Sequence, residues 1–575
     1  MSGTWMTTRA WLLMLPLLVV MVAVIGWPLV DTVGLSFTDA KLVGTAGNFV
    51  GIDNYTKMLS SSNFSRTLVT TTWFAVASVA IEMVIGVLAA LLLNQEFRGR
   101  TFLRALMILP WALPTVVNAT LWRLIYNPEY GALNAALTQL HLIDAYRSWL
   151  GEPGTALAAL IIADCWKNFP LVALIALAAL QAVPRDITAA SLVDGAGPFA
   201  RFRFVILPYL AGPLMVALVL RTIEAFKVFD IIWVMTRGGP ANSTRTLSIL
   251  VYQEAFSFQR AGSGASLALI VTLLVTVLAL AYAALVKRPP GAPPDGTQEP
   301  RLQRLHLCLR CPAWRRDPGP IAWLFVMSIS PAADLAAKPL RWWPQAADFS
   351  RYQQLLSTAE NSAGAAFTAS LRNSLEIASM ATLAALLLAI PAGWAVSRTP
   401  SIGWSLSMVI ATYMLPPVAL AVPLYMGLSY LGLLNNVFGL AMVYLTILAP
   451  FTTWLMKSGF DAIPREIEAA AMIDGAGLFQ TLRIITLPLA APVVATSALF
   501  AVLLAWDEFF YALLFTSDQR AKTLTVAIAD LAGGRVSDYG LIATAGVLAA
   551  LPPVLIGLVM QRALISGLTS GGVKG

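Results

Sequence analysis

Apolar runs of about twenty residues recur along this chain, separated by short segments that carry most of its charge. In the first half they fall at 11–34, 68–93, 104–126, 155–182, 205–226 and 265–286. In the second half they fall at 374–397, 403–429, 436–456, 489–514 and 541–561, with a weaker run at 318–340. About 30 Å of hydrocarbon at roughly 1.5 Å of rise per residue needs runs of this length. Lipid offers the backbone no hydrogen-bond partner, so each run is expected to be helical. The pattern predicts an all-α polytopic membrane protein with about 12 transmembrane helices, arranged as two six-helix repeats.

Composition agrees. Of 575 residues 58% are hydrophobic and 12% charged, and the mean hydropathy is +0.74, too apolar to clothe a soluble surface. The net charge of +8 sits in short loops between runs and not in a patch, which argues against a nucleic-acid partner. Arg98, Arg100 and Arg104 follow the second run, Arg185, Arg201 and Arg203 the fourth, and Lys287 to Arg316 the sixth. Cytoplasmic loops are enriched in Lys and Arg, so these points and the N-terminus are expected in the cytoplasm. Parity then requires a crossing at 318–340, although that run is weak, carries Asp334 and must be shielded by neighbours or be irregular. The alternative is a segment lying on the membrane and a second half of inverted topology. The run WLLMLPLLVVMVAVIGWPLV lacks a small-residue cleavage site and reads as the first helix. Cys165, Cys308 and Cys311 make no disulfide framework, the Cys308–Cys311 spacing has no second ligand pair, and His141 and His306 imply no metal site.

One loop occurs twice. RDITAASLVDGAGPF begins at Arg185 and REIEAAAMIDGAGLF at Arg465, 280 residues on. Thirteen of the 25 positions from 184 to 208 are identical to those of 464–488, including Asp194/Asp474, Gly195/Gly475, Gly197/Gly477 and Pro208/Pro488. The flanking apolar runs match far less well. Proline opens the segment, alanines favour a helix, and Gly475 and Gly477 are expected to supply positive φ for a sharp turn. The reading is a helix–turn–helix on the cytoplasmic face, a shared docking task instead of a plain connector.

The pattern E-A-A-x-x-D-G-A…L-P resembles the signature loop of permease subunits of bacterial ATP-binding-cassette (ABC) importers, in which a coupling helix seats in a cleft of the ATPase. Glu468, Ala469, Ala470, Asp474, Gly475, Ala476, Gly477 and Leu487–Pro488 match it in the second copy. Ala189, Ala190, Asp194, Gly195, Ala196, Gly197 and Ile206–Leu207–Pro208 match it in the first, where Thr188 replaces the glutamate. With one acidic contact to the ATPase missing, or supplied by Asp186, unequal docking is expected. The stretches 226–256 and 506–528 resemble the maltose-type sugar-permease subunits and their partner subunits. The resemblance implies two permease subunits fused in one chain of the bacterial inner membrane: 1–288, a cytoplasmic linker at 289–317, and 318–575, whose first helix is degenerate. It also implies two separate ABC ATPase subunits that bind ATP and Mg, an extracytoplasmic solute-binding protein received by the loops near 31–66, 127–154, 227–264 and 331–370, and import of a sugar, with a di- or oligosaccharide expected. The chain contains no G-x-x-x-x-G-K-[ST] phosphate loop; GSGAS at 262–266 lacks the lysine and is expected in a loop. A transport subunit, not an enzyme, is expected, with no cofactor of its own.

Intramembrane charge marks the candidate substrate pathway. Glu224, Lys227 and Asp230 fall at i, i+3 and i+6, Asp507 lies 280 residues beyond Lys227, and Phe226, Phe229, Trp233, Trp506, Glu508 and Tyr511 stand beside them. Polar rims and aromatic faces suit a sugar, and Lys227 and Asp507 are expected to face a shared cavity. The stripe reads equally well as ion pairs that lock helices. Asp164 and Lys167 are expected to satisfy each other, and Glu82 and Glu376, set singly among apolar residues, to hydrogen-bond across helices or to be protonated. Two other readings remain: a secondary transporter with two six-helix halves, which gives the repeated loop no task, and an importer of a polyol or glycerol phosphate, which would need more cavity arginines than the sequence displays.

Overall fold

The computed structural model describes residues 3–44, 47–286, 319–359, 362–534 and 538–571. Eight of its helices are long and apolar enough to cross a bilayer: Thr8–Ser36, Ser62–Asn94, Pro153–Gln181, Pro198–Phe226, Ala261–Tyr282, Ala363–Arg398, Val437–Asp461 and Tyr539–Ile556. Three further spans are broken. Arg100–Ala112 meets Thr115–Ile125 at 96°, Pro400–Tyr413 meets Pro417–Tyr430 at 89°, and Leu478–Leu489 meets Ala491–Asp507 at 78°. Among the described residues this makes up to 11 spans. The pattern of apolar runs gave no sign that the runs at 104–126, 403–429 and 489–514 would be bent.

Proline makes two of the breaks. Leu113 and Pro114 are both extended, at ψ 136° and 139°, and Pro416 is likewise extended at ψ 133°. A residue before proline is pushed out of the α region, and proline has no N–H to continue a ladder. Both breaks fall in the third span of their half. Broken helices at matching positions of two repeats are a common transporter device.

The weak run at 318–340 is not one span. Gly319–Ile329 is an 11-residue helix, about 16 Å long at 1.5 Å per residue and too short to cross alone. Trp323, Leu324, Val326 and Met327 on it are buried, and it packs on the Tyr539–Gly571 helix. Asp334 follows in a separate short turn, where it accepts hydrogen bonds from Arg341 (2.7 Å) and the Gln345 N–H (3.1 Å). The segment is thus both shielded by a neighbour and irregular, its helix stopping before the acidic residue. The linker, with Cys308, Cys311 and His306, lies outside the described residues. GSGAS forms the opening turns of the Ala261–Val286 helix instead of a loop.

The chain folds as two compact units that do not follow its two halves. One holds residues 1–64, 250–274 and 357–527; the other holds 65–249, 275–356 and 528–575. In the first unit the N-terminal helix packs on Ala363–Arg398. Trp11 meets Trp404 at 5.7 Å, and the Thr32 hydroxyl donates to the Ala419 carbonyl at 2.8 Å. In the second unit, Gly319–Ile329 and Tyr539–Gly571 join the helices of residues 65–249. Each half thus lends its first helix to the other half's core. A cluster under each repeated loop fixes its ends. Leu177, Leu180, Leu210 and Leu214 hold Val183, Ile206 and Leu207 in one unit; Met456, Phe460, Leu482 and Ala490 hold Ile463 and Leu478 in the other.

Candidate functional site

The two repeated loops have the same backbone. Pro184 and Pro464 sit at the N-cap with ψ 131° each, one residue before the first turn, and nine-residue helices follow at Arg185–Val193 and Arg465–Ile473. Each helix ends in the same pair of bonds. Gly195 N–H donates to Leu192 O (3.1 Å) and Ala196 N–H to Ser191 O (2.9 Å); in the second copy Gly475 donates to Met472 O (3.2 Å) and Ala476 to Ala471 O (2.9 Å). This closure needs a left-handed residue, supplied by Gly195 at φ +73° and Gly475 at φ +92°. Gly197 and Gly477 do not share that task. They are extended, at ψ 166° and 164°, and begin the second short helix of each loop.

Outward-facing apolar residues give the loops a surface. Val193 is 88% exposed and Phe199 78%; their counterparts Ile473 and Phe479 are 85% and 69% exposed. Leu192 and Met472 extend the ridge, and Asp194, Asp474, Ala469 and Ala470 are exposed beside it. Val193 and Ile473 lie outside the membrane spans and Phe199 and Phe479 in the first turn of the helices that lead into them, where such repeated pairs mark a contact surface. Sequence reasoning singled out the glycines and acids but missed these residues; their signal was apolar character kept at the 280-residue spacing within a polar loop.

Glu468 points the other way. It is 3% exposed, and its carboxylate accepts from Arg398 Nε (2.6 Å) and Nη2 (2.8 Å), Trp394 Nε1 (3.1 Å) and Thr486 Oγ1 (2.8 Å). Arg398 also donates to the Phe460 and Ile463 carbonyls. Burial alone would raise the Glu468 pKa, but the hydrogen bonds from Arg398, Thr486 and Trp394 hold it below the usual value. The expectation that this acid contacts the ATPase is therefore revised: the carboxylate pins the helix to the ends of two spans. In the first copy Thr188 occupies the position, and its carbonyl accepts from the Ser191 hydroxyl at 2.7 Å. Asp186 aligns with the exposed Glu466.

The pathway candidates separate into open and packed residues. The Pro198–Phe226 span stops at Phe226, Lys227 caps it, and Asp230 starts a new helix, Asp230–Met235. Glu224, Lys227 and Asp230 therefore do not form one helical stripe. The break turns Phe229 inward to stack on Trp233, with ring centroids 5.6 Å apart. In the other unit Trp506 and Tyr511 are also buried, the latter stacked on Phe515 at 5.7 Å. Glu508 accepts from the Tyr511 (2.7 Å) and Ala512 (3.2 Å) N–H groups, capping the Phe510–Phe515 helix. Partly open are Glu224, Phe226, Lys227, Asp230, Trp233, Asp507 and Glu508.

The role of Arg221 emerges only from the structure. It is buried in the Pro198–Phe226 span and binds Glu82 through Nε (2.7 Å) and Nη2 (3.1 Å). It also meets Asp164 at 3.5 Å and Glu224. Glu82 thus bonds across helices as expected, and Asp164 serves Arg221 and the Asn168 side chain (2.9 Å), while Lys167 donates to the Thr115 hydroxyl. Burying these charges is tolerable because each acid shares one guanidinium fork. Glu376 has a partner too, Arg372 at 2.7 Å one turn away.

Comparison with known proteins agrees with the duplicated loop. The model of the "Binding-protein-dependent transport system inner membrane component" family matches residues 82–289 and again 381–570. The trehalose/maltose transport system permease protein MalF of Thermococcus litoralis is 39% identical over 272 residues, 47% of this chain and 91% of that protein. The sulfoquinovosyl glycerol transport system permease protein SmoG of Agrobacterium fabrum is 33% identical over 277 residues, 48% of this chain and 89% of its own length. A crystal structure of a bacterial alginate ABC transporter, in complex with an alginate pentasaccharide-bound periplasmic protein, aligns with 48% of this chain and 94% of its own at 20% identity and a TM-score of 0.43. With two fused copies of the domain covering more than half of its length, the chain belongs to the binding-protein-dependent transport system inner membrane component family, the permeases of ABC transporters.

Proposed function

We propose that the chain is the membrane permease of an ATP-driven sugar importer, with both permease subunits in one polypeptide. Its N-terminus is cytoplasmic, two ATPase subunits dock on the 184–208 and 464–488 loops, and an extracytoplasmic binding protein delivers the sugar. The observation that carries this reading is the recurrence of one exposed surface, Val193, Asp194 and Phe199 against Ile473, Asp474 and Phe479, on the same glycine-closed turn. ATP binding would draw the docked ATPases together and switch the pathway between inward- and outward-open states. A di- or oligosaccharide is the expected cargo, in keeping with the names of the trehalose/maltose and sulfoquinovosyl glycerol relatives. Lys227 and Asp507 are proposed to line the pathway.

Co-purification tests the reading. The chain is expressed with each ATPase encoded nearby, and the wild type is compared with Gly195→Trp and Gly475→Trp. Tryptophan is strained at both positive-φ positions and would stand out from the docking surface. A stable, ATP-hydrolysing complex lost in either variant is expected. A folded, monodisperse chain that binds no ATPase would favour a secondary transporter.

A further inference from the structure

Two arginines far apart in the sequence converge on one short helix in the second unit. Arg123, in the last turn of Thr115–Ile125, donates through Nη1 to the Val234 carbonyl at 3.4 Å. The Arg237 guanidinium lies 5.7 Å from the centroid of the Trp233 ring. Arg237, Tyr130 and Tyr539 lie near enough to Arg123 to act on its charge, and Glu129 lies near Tyr130. Neither arginine forms an ion pair among the described residues. The Tyr130 and Tyr539 rings are tilted by 37° with centroids 3.9 Å apart, and among the described residues the buried Tyr130 hydroxyl completes no well-formed hydrogen bond.

The surroundings are shaped to hold Arg237. Its backbone is left-handed, at φ +52°, followed by Gly238 at +89°, Ala241 at +47° and Asn242 at +61°. L-residues avoid this region, and such strain persists only where neighbours enforce it. The loop is pinned by the Thr236–Thr244 hydroxyl pair (2.8 Å) and the Gly239 N–H to Thr236 O bond (2.9 Å). Gly533 leaves room for the guanidinium: a Cβ there would stand 2.9 Å from Arg237 Nη2.

We infer that Arg123 and Arg237 form a binding site for the anionic group of a saccharide, a carboxylate, sulfonate or phosphate, with Trp233, Tyr130 and Tyr539 as its aromatic wall. This rests on the sugar-permease reading and narrows its substrate to acidic sugars. Two guanidinium forks that form no ion pair among the described residues suit an incoming oxyanion, and aromatic faces suit the C–H side of a sugar ring. The site is exposed at Arg237 and half-buried at Arg123, a depth that favours a small ligand over the surface of a folded protein.

The test uses the full chain with its ATPase in lipid nanodiscs, titrated calorimetrically with digalacturonate, trehalose 6-phosphate and maltose. At least one anionic probe should bind more tightly than maltose and weaken with salt. Arg123→Gln and Arg237→Gln should each reduce that affinity by about ten-fold or more, with Arg237→Lys intermediate because it keeps charge without the fork. ATPase retention should not change. If neither anionic probe outcompetes maltose, or the variants leave the anion's affinity intact, the inference is wrong. It is also wrong if the variants abolish capture of the solute-binding protein while saccharide binding persists, since the arginines would then serve docking. Loss of the ATPase from the wild type would instead count against the permease reading itself.

Discussion

Replacing Glu468 by alanine should loosen the second repeated loop without disturbing the spans beneath it. The substitution removes the acceptor of four hydrogen bonds. Trp394 Nε1 loses the acceptor it now has, a cost of about 1–3 kcal/mol for a buried donor. Breaking a buried ion pair from one side costs about 3–5 kcal/mol when nothing replaces the lost partner. Here Arg398 keeps the Phe460 and Ile463 carbonyls and the Ser397 hydroxyl, so the lower end applies. A local loss of about 3 kcal/mol corresponds to roughly 100-fold faster opening of the 465–473 helix. Amide hydrogen exchange followed by mass spectrometry on the purified chain should show this acceleration in peptides covering 468–476. Glu466→Ala, at an exposed neighbour, serves as the control. Exchange within about three-fold of the wild type in Glu468→Ala would refute the anchoring argument.

Other outcomes follow from the same geometry. Because Glu468 is held below its usual pKa, its stabilisation is full above the ordinary carboxylate range and is lost as pH falls through the lowered folded value; exchange protection of 465–476 should fall only in that acid window, and not in Glu468→Gln. Phe199→Ala and Phe479→Ala should weaken ATPase capture by about ten-fold or more without changing thermal stability, because both rings are exposed in the free chain. Arg221→Met should cost about 3–5 kcal/mol by leaving Glu82 and Asp164 buried without their shared cation, read as loss of monodisperse protein on size exclusion, with partial recovery in Arg221→Met/Glu82→Leu. Lys227→Met and Asp507→Asn should impair uptake while assembly with the ATPase persists; unchanged uptake in both would remove them from the pathway.

Much of this protein was legible before any coordinates. Whether twenty residues dissolve in lipid depends on their summed transfer free energy, a local property, so the spans could be read from composition. The repeated turn was equally local: a helix must end where Gly195 or Gly475 takes a left-handed residue's place, and its repetition pointed to a shared task. What the sequence left open depends on contacts between distant segments. In lipid one apolar helix face packs about as well as another, and no water drives a particular pairing. Nothing in the runs themselves therefore said that the N-terminal helix would pack on Ala363–Arg398, or Gly319–Ile329 on Tyr539–Gly571. Polar groups inside the membrane must find partners, but the sequence does not say which. Only the tertiary structure gave Glu82 and Asp164 to Arg221, turned Glu468 inward to Arg398, and brought Arg123 beside Arg237.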